Sequence, residues 1–247
     1  MQKLPEIRLS YDARAEDVLI ENYVKVHAAH SVPLQILEAG CGQQWPLNLD
    51  GIEYVLTGVD LDQNALEIRK NVKGDLHKIV VGDLCTVNLP DNSYDVIYSS
   101  FVLEHIQEAD VVLKNFAKWM KQRGLLVVRV PDPYSVRGFV TRITPHWFHI
   151  FYYRYVQGNK KAGTPGYGPY TTFYNPVISR RGIYEFCRKY NFTVKVEYGD
   201  GYLWYGDGLA GRAIKVILRA ITVLSFGKLT DRHANLLYIL ERDGSGS

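Results

Sequence analysis

Three observations predict an α/β fold built on a mostly parallel sheet. Residues 34–42, LQILEAGCG, run apolar, then acidic, then turn on two glycines, the pattern of a buried strand that stops at a tight turn. Two more short apolar runs, YVLTGVDLD and KIVVGDL, also end on an acid, Asp60 and Asp83. Between and after these runs lie stretches with apolar residues at helical spacing. In open parallel sheets, ligands bind outside the carboxyl ends of the strands, so an acid and a Gly-x-Gly turn at such an end describe a nucleotide-type pocket. Gly40 and Gly42 let the backbone bend and let a ligand lie against it. Glu38, just before them, would repel a pyrophosphate and attract an ammonium group.

The 247 residues suffice for one α/β domain with a sizeable core. A hydrophobic content of 47% and a charged content of 22% are those of a globular protein, and a net charge of +3 is too small to argue for a nucleic-acid partner. The chain shows no uncharged apolar run of about 18 residues, so no spanning segment is predicted. Cys41, Cys85 and Cys187 lack metal-ligand spacing and, with no leader peptide legible, read as reduced thiols of a cytoplasmic protein. Residues 1–242 read as a single domain and 243–247 as a tail or cloning scar.

In chain order, Val18, Leu19, Tyr23 and Val26 predict a first helix. The run ending at Asp60 is the second strand, with a helix over 64–70 behind it; Asp60, with Asp62 as competitor, can serve a ligand or start that helix. The third strand ends at Asp83, which a Gly-Asp turn alone would also explain. Residues 95–98 form the fourth strand, and Ser99 and Ser100 can cap a helix carrying Val102, Leu103, Ile106, Leu113, Phe116 and Met120. GLLVVRVPDP is the fifth strand. Residues 132–178 then form a long insert, helical around Trp147, Phe148, Ile150, Phe151 and Tyr155 and too rich in Gly, Pro and Tyr afterwards to be one element. It reads as a lid over the reaction centre or as a packing insert. Ser179 caps a helix with Ile183, Phe186 and Tyr190 inward, and FTVKVEYGD is the sixth strand. Residues 208–228 form an amphipathic helix with Arg212, Lys215 and Arg219 on one stripe, before a last strand, NLLYILER. That helix packs on the domain or lid, lines an apolar tunnel, or makes peripheral contact with a membrane surface.

EAGCG resembles the first motif, acid-x-Gly-x-Gly-x-Gly, of class I S-adenosylmethionine-dependent methyltransferases, with Gln44 in place of the third glycine and Pro46 limiting the helix that usually follows. LPDNSYDVIYSSFVLEHI closely resembles the fourth-strand segment of the small-molecule, type 11/23-like subgroup related to ubiquinone-pathway enzymes, of which LEHI is a signature. The resemblance is strong over 34–131 and loose afterwards. It implies a Rossmann-like, seven-stranded, mostly parallel sheet with helices on both faces, an antiparallel last strand, and a lid insert after strand five. It implies S-adenosyl-L-methionine as cofactor, held by Glu38, Gly40, Gly42, Asp60 with Leu61, Asp83 with Leu84, and the backbone near Ser99 and Phe101. Asp60 would take the ribose hydroxyls, and Asp83 with Leu84 the adenine. Arg14 would meet the methionine carboxylate, or else stand as a solvated surface arginine. His105, near the methyl end, would touch substrate or only fix its loop.

A sulfonium methyl is already an activated electrophile, so the protein mainly positions two reactants and excludes water. A base helps when the acceptor is a hydroxyl. His146 and His149, three apart, share a helix face without a third ligand, so no metal is predicted. With His105 they are the catalytic candidates, or else packed lid residues. Tyr134, Tyr153, Tyr170 and Tyr174 offer ring faces to a cation or acceptor, and Arg137, Arg142 and Arg154 suit an anionic acceptor. The expectation is methyl transfer to a small molecule in a biosynthetic pathway, at a carboxylate or hydroxyl oxygen, with nitrogen or carbon as alternatives. An NAD-dependent oxidoreductase would want a fuller glycine fingerprint. A non-catalytic binding partner of the same fold would not need the intact set of acids. The oligomeric state is not legible.

Overall fold

A computed structural model describes residues 4–29, 32–155, 158–164, 168–173, 175–201 and 209–244. One sheet contains β1 (Arg8–Ser10), β2 (Leu34–Ala39), β3 (Tyr54–Asp60), β4 (Lys78–Val81), β5 (Tyr94–Ser100), β6 (Met120–Pro131), β7 (Phe192–Asp200) and β8 (Asn235–Arg242). Their order is β1-β7-β8-β6-β5-β2-β3-β4. β8 is antiparallel to both neighbours, β6 and β7, and every other pairing is parallel. The seven expected strands are present. β1 is an eighth, a three-residue edge strand beside β7 in a stretch too short for periodicity to reveal.

Helices cover both faces, so the central strands are apolar throughout rather than alternating. Leu37, Ala39, Ile97 and Val128 join the core on one face; Ile36, Leu56, Val96 and Val127 join the core on the other. The helices are α1 (Ala13–Ala28), α2 (Gln63–Ile68), α3 (Ala109–Trp119), α4 (Val136–Ile143), α5 (His146–Tyr155), α6 (Arg180–Tyr190) and α7 (Leu209–Leu224).

α1 forms as expected, with Leu19 and Tyr23 packed against the core. Ile20, Val24 and Ala28 are buried, while Val18 and Val26 are exposed. Arg129 on β6 sits 2.8 Å from Asp17 and 3.5 Å from Glu16, so ion pairs bring an acidic edge of the helix inward. Behind Gly42 no helix forms. Residues 41–53 are a loop in which Trp45 packs edge-on against Tyr98, ring centroids 5.4 Å apart. Asp62 caps α2 by accepting the Ala65 N–H at 3.1 Å, and α2 runs on into a π-turn, Arg69–Lys73, that ends at Gly74 with φ +68°.

The helix expected after β5 is broken. Ser99 and Ser100 belong to β5 and do not cap; Leu103–His105 make one 3₁₀ turn, and α3 starts only at Ala109. Met120 opens β6 instead of closing α3. In the insert α5 falls where expected, while α4, capped by Ser135, was not legible as a separate helix. Ser179 caps α6 as expected.

Candidate cofactor and acceptor site

Strand order reverses at β2, with β3 and β4 to one side and β5 and β6 to the other. Ligands of open α/β sheets occupy the crevice at such a switch point. Glu38, Asp60 and Asp83 lie at or just past the carboxyl ends of β2, β3 and β4, which are adjacent and parallel, so the three acids share one edge. The glycine turn closes against the exit of β5. Gly40 has φ +71°, and a Cβ there would stand 2.4 Å from Val102 Cγ2, so only glycine fits. Gly42 has φ +50° with open space where a Cβ would be, and its N–H donates to Asp60 Oδ2 at 2.9 Å. Asp60 Oδ1 accepts from the Asp62 N–H at 3.0 Å, so Asp60 braces the turn while Asp62 performs the capping.

A residue that sequence reasoning missed holds this corner. Arg69 is fully buried and stands 2.8 Å from Glu38 Oε2; the same Nη1 donates to the Cys41 carbonyl at 2.7 Å, and Nε donates to Asp75 at 3.1 Å. Lys73 Nζ donates to the Gln43 carbonyl. Two cations from the π-turn thus hold the loop that a helix usually follows. Burial pushes the Glu38 carboxyl up to about 8, with Arg69 pulling the other way. Glu38 Oε2 has this charge neighbour but no aligned hydrogen bond, and Arg69 Nη2 has no partner.

Asp83 accepts the Cys85 N–H on Oδ1 at 2.8 Å, so the Gly-Asp turn is formed. A carboxylate has two oxygens, and turn and ligand roles are compatible. Leu84 is buried with its carbonyl held by Asn115 Nδ2 at 2.9 Å, and Leu61 is 73% exposed just past Asp60. Across the switch point, Ser99 is buried and its Oγ has no partner. Phe101 has φ +55°, a left-handed conformation that costs a bulky residue about 1–2 kcal/mol and collects at functional sites. Glu104, also missed, is buried with Oε2 unpartnered, and desolvation raises its carboxyl to about 7. The unpartnered oxygens of Ser99 and Glu104 sit at and just beyond the end of β5, and buried polar groups of this kind call for a partner. They fit an amino-bearing nucleoside ligand.

His105 follows β5 in the 3₁₀ turn, and burial lowers its pKa. Its Nδ1 lies 2.8 Å from the Thr171 carbonyl, its ring packs edge-on against Tyr170 at 5.6 Å, and its Nε2 is 3.9 Å from Glu104 Oε1. The Phe173 N–H donates to the Glu104 carbonyl at 2.6 Å and Asn175 Nδ2 to the Gln107 carbonyl at 3.0 Å, so the second half of the insert is laced along this turn.

The other predicted residues stand elsewhere. Arg14 pairs with Glu21 at 3.0 Å, and Glu21 also accepts the Asn48 N–H at 2.8 Å, so Arg14 has the character of a surface arginine supporting the loop behind Gly42. His146 is exposed on α5, and His149 Nε2 lies 2.8 Å from Thr144 Oγ1, closing the α4–α5 corner. Arg154 Nε donates to the Ala162 carbonyl at 2.7 Å and Tyr153 packs against Tyr152, both inside the insert. Arg137 is exposed on α4, and Arg142 stands 5.7 Å above the Phe139 ring. Tyr134 lines a groove of about 670 Å³ between α3 and α6, whose lining includes none of the three acids. Tyr174 lies outside the described residues. Among the described residues no group of three His, Cys, Asp or Glu could hold a metal ion.

Sheet order, switch-point crevice and acid row define a nucleoside-binding α/β fold. Residues 37–128 match the family model "Methyltransferase domain". Over 105 residues the chain is 30% identical to phosphoethanolamine N-methyltransferase 1 of Arabidopsis thaliana, covering 38% of this chain and 20% of that protein. Over 100 residues it is 29% identical to demethylmenaquinone methyltransferase of Staphylococcus aureus, covering 38% of this chain and 42% of that protein. The chain therefore spans well under half the length of these curated relatives. A solved structure titled as a putative sarcosine dimethylglycine methyltransferase from Galdieria sulphuraria superposes with TM-score 0.57 at 13% identity, covering 98% of this chain and 93% of that one, and speaks for the fold. Residues 37–128 therefore carry a methyltransferase domain, and the chain is similar to the class I, small-molecule S-adenosylmethionine-dependent methyltransferases.

Proposed function

We propose that this protein methylates an oxygen of a small-molecule acceptor in a biosynthetic pathway, with His105 as the base. S-adenosylmethionine supplies an activated methyl group when bound. In this reading Glu38 meets its ammonium group, Asp60 and Leu61 the ribose, Asp83 and Leu84 the adenine, and Gly40, Gly42 and Ser99 line the methionine end. The supporting observation is the contact between His105 Nδ1 and the Thr171 carbonyl. A carbonyl can only accept, so Nδ1 carries the hydrogen and the neutral ring keeps its lone pair on Nε2. Burial favours that neutral form. A hydroxyl acceptor placed at Nε2 can then lose its proton as the methyl arrives, and Tyr170, edge-on to the ring, would bound the acceptor space.

Calorimetry with S-adenosylmethionine, its demethylated product and NAD, followed by methylation assays on hydroxyl, carboxylate and amine acceptors, tests the assignment. His105→Asn is expected to lower kcat with a hydroxyl acceptor about 10²- to 10⁴-fold while leaving cofactor affinity in place. Binding of NAD alone would end the methyltransferase reading, and unchanged turnover in His105→Asn would end the base assignment. The relatives named for phosphoethanolamine N-methylation favour a second reading, an amine on an anionic acceptor. Five basic residues and no acid in 133–178 suit such an acceptor, and His105 would then remove the ammonium proton before transfer.

A further inference from the structure

Among the described residues, α5 and α7 both leave large apolar side chains exposed. α5 has no buried residue, and Trp147 is 67% and Phe151 50% exposed. On and just after α7, Val216, Ile217, Leu224 and Phe226 are 69%, 58%, 76% and 92% exposed. The start of α4 is joined to the segment after α7: the Val136 N–H donates to the Thr230 carbonyl at 2.8 Å, and the Thr230 N–H to the Tyr134 carbonyl at 3.0 Å. α4 and α7 also pack on each other. Residues 133–178 and 208–230 hold nine Lys and Arg and no Asp or Glu, so the rest of a +3 chain is net negative by six. Arg212, Lys215 and Arg219 recur along one stripe of α7, and Arg219 pairs with Asp231 at 3.3 Å at its edge.

We propose that this apolar and cationic surface docks on a bilayer containing anionic lipid, with α7 lying in the interfacial plane. An acid-free cationic stripe beside apolar and aromatic side chains is the composition of an interfacial helix, whose attachment adds apolar burial to attraction for anionic headgroups. α7 has 16 residues, short of the roughly 20 a spanning helix needs, so it lies on the membrane. A second copy is the competing occupant. A two-fold interface sets a patch against itself, and a helix that carries cations and no acid of its own would then face like charge.

The test is flotation of the full chain with vesicles of phosphatidylcholine alone and of phosphatidylcholine with phosphatidylglycerol at 7:3, in low and high salt. Binding is expected with the anionic vesicles, weakened by salt and nearly absent with the neutral ones. Ile217→Glu should lower the bound fraction about ten-fold, and Arg212→Gln about five-fold. Retained cofactor binding and melting temperature show that either variant is folded. Equal binding to both vesicle types, no binding to either, or unchanged binding by Ile217→Glu would overturn the proposal. So would a dimer in sedimentation velocity that Ile217→Glu dissociates. None of these readouts depends on which acceptor is methylated.

Discussion

Two regions of the molecule are built on opposite principles. At the tips of β2, β3 and β4 nearly every functional group is braced by another: Asp60 holds Gly42, Arg69 spans Glu38, Cys41 and Asp75, and Val102 closes on Gly40. In α5 and α7 side chains are largely exposed, and the bonds around α5 are local ones such as His149 to Thr144 and Arg154 to Ala162, while Thr171 and Asn175 of the insert bond to the turn after β5. A rigid cradle for a constant ligand and a loosely packed face for a variable one carry different mutational costs. Changes in the cradle should register first in stability or cofactor affinity, and changes in the insert in turnover or partner binding.

The largest effect expected is at Arg69. Arg69→Met leaves Asp75 without its counter-charge and Glu38 and the Cys41 carbonyl without their buried donor, and should cost about 3–5 kcal/mol, roughly 10 °C or more in Tm. Adding Glu38→Gln should recover part of that loss in thermal melts above pH 8, because a neutral amide then replaces the buried carboxylate. A single variant that melts with the parent would mean the buried pair does not hold the cradle. Gly40→Ala comes next. A left-handed φ and a Cβ overlapping Val102 should together cost about 3 kcal/mol in urea unfolding. Asp60→Ala removes both a brace and the proposed ribose contact, and cofactor affinity should fall about 100-fold by calorimetry with much less loss of stability.

Glu38 sharpens the comparison through pH. Its carboxyl holds a proton up to about 8 in the fold, whereas the unfolded chain releases it near 4.5. The unfolded state therefore binds fewer protons between those values, and Glu38's contribution to stability declines as pH rises through that window. A cationic ligand favours the carboxylate instead. Cofactor binding at neutral pH should then release most of one proton, and affinity should climb as pH approaches 8. Calorimetry in two buffers of different ionisation enthalpy reads the proton directly; no release would place Glu38 away from the ligand's positive charge.

The cradle was largely legible because its signals are local and backbone-driven: apolar runs ending in acids, and glycines where φ must be positive. Arg69 was not. One charged residue in the pattern EIRKNVK reads as solvated, although its i+4 and i+3 spacing from the buried Ala65 and Leu66 puts Arg69 on the inner face of α2. An acid buried in an apolar strand also demands a counter-charge. The burial of Glu16 on α1 was hidden for a related reason: its partner Arg129, which also pairs with Asp17, lies more than a hundred residues later. The break at Ile106–Glu108 was hidden because its residues keep a helical period across a 3₁₀ turn. The insert was legible as a region but not in its parts, since aromatic content specifies neither which rings are exposed nor what they meet.

The smallest effect separates the histidines. His149→Ala removes a hydrogen bond at the α4–α5 corner, worth about 1 kcal/mol locally, and touches none of the strand-tip acids. His146 is exposed, and its loss should be smaller still. Either change should leave cofactor affinity unaltered and lower kcat only a few-fold, by loosening the insert, whereas His105→Asn should lower it by orders of magnitude. Side-by-side kcat and KM measurements on one acceptor decide the point. If His149→Ala instead matched His105→Asn in kcat, the reacting proton would pass through the insert, and the division between a rigid cradle and a pliant outer face would fail where the chemistry takes place.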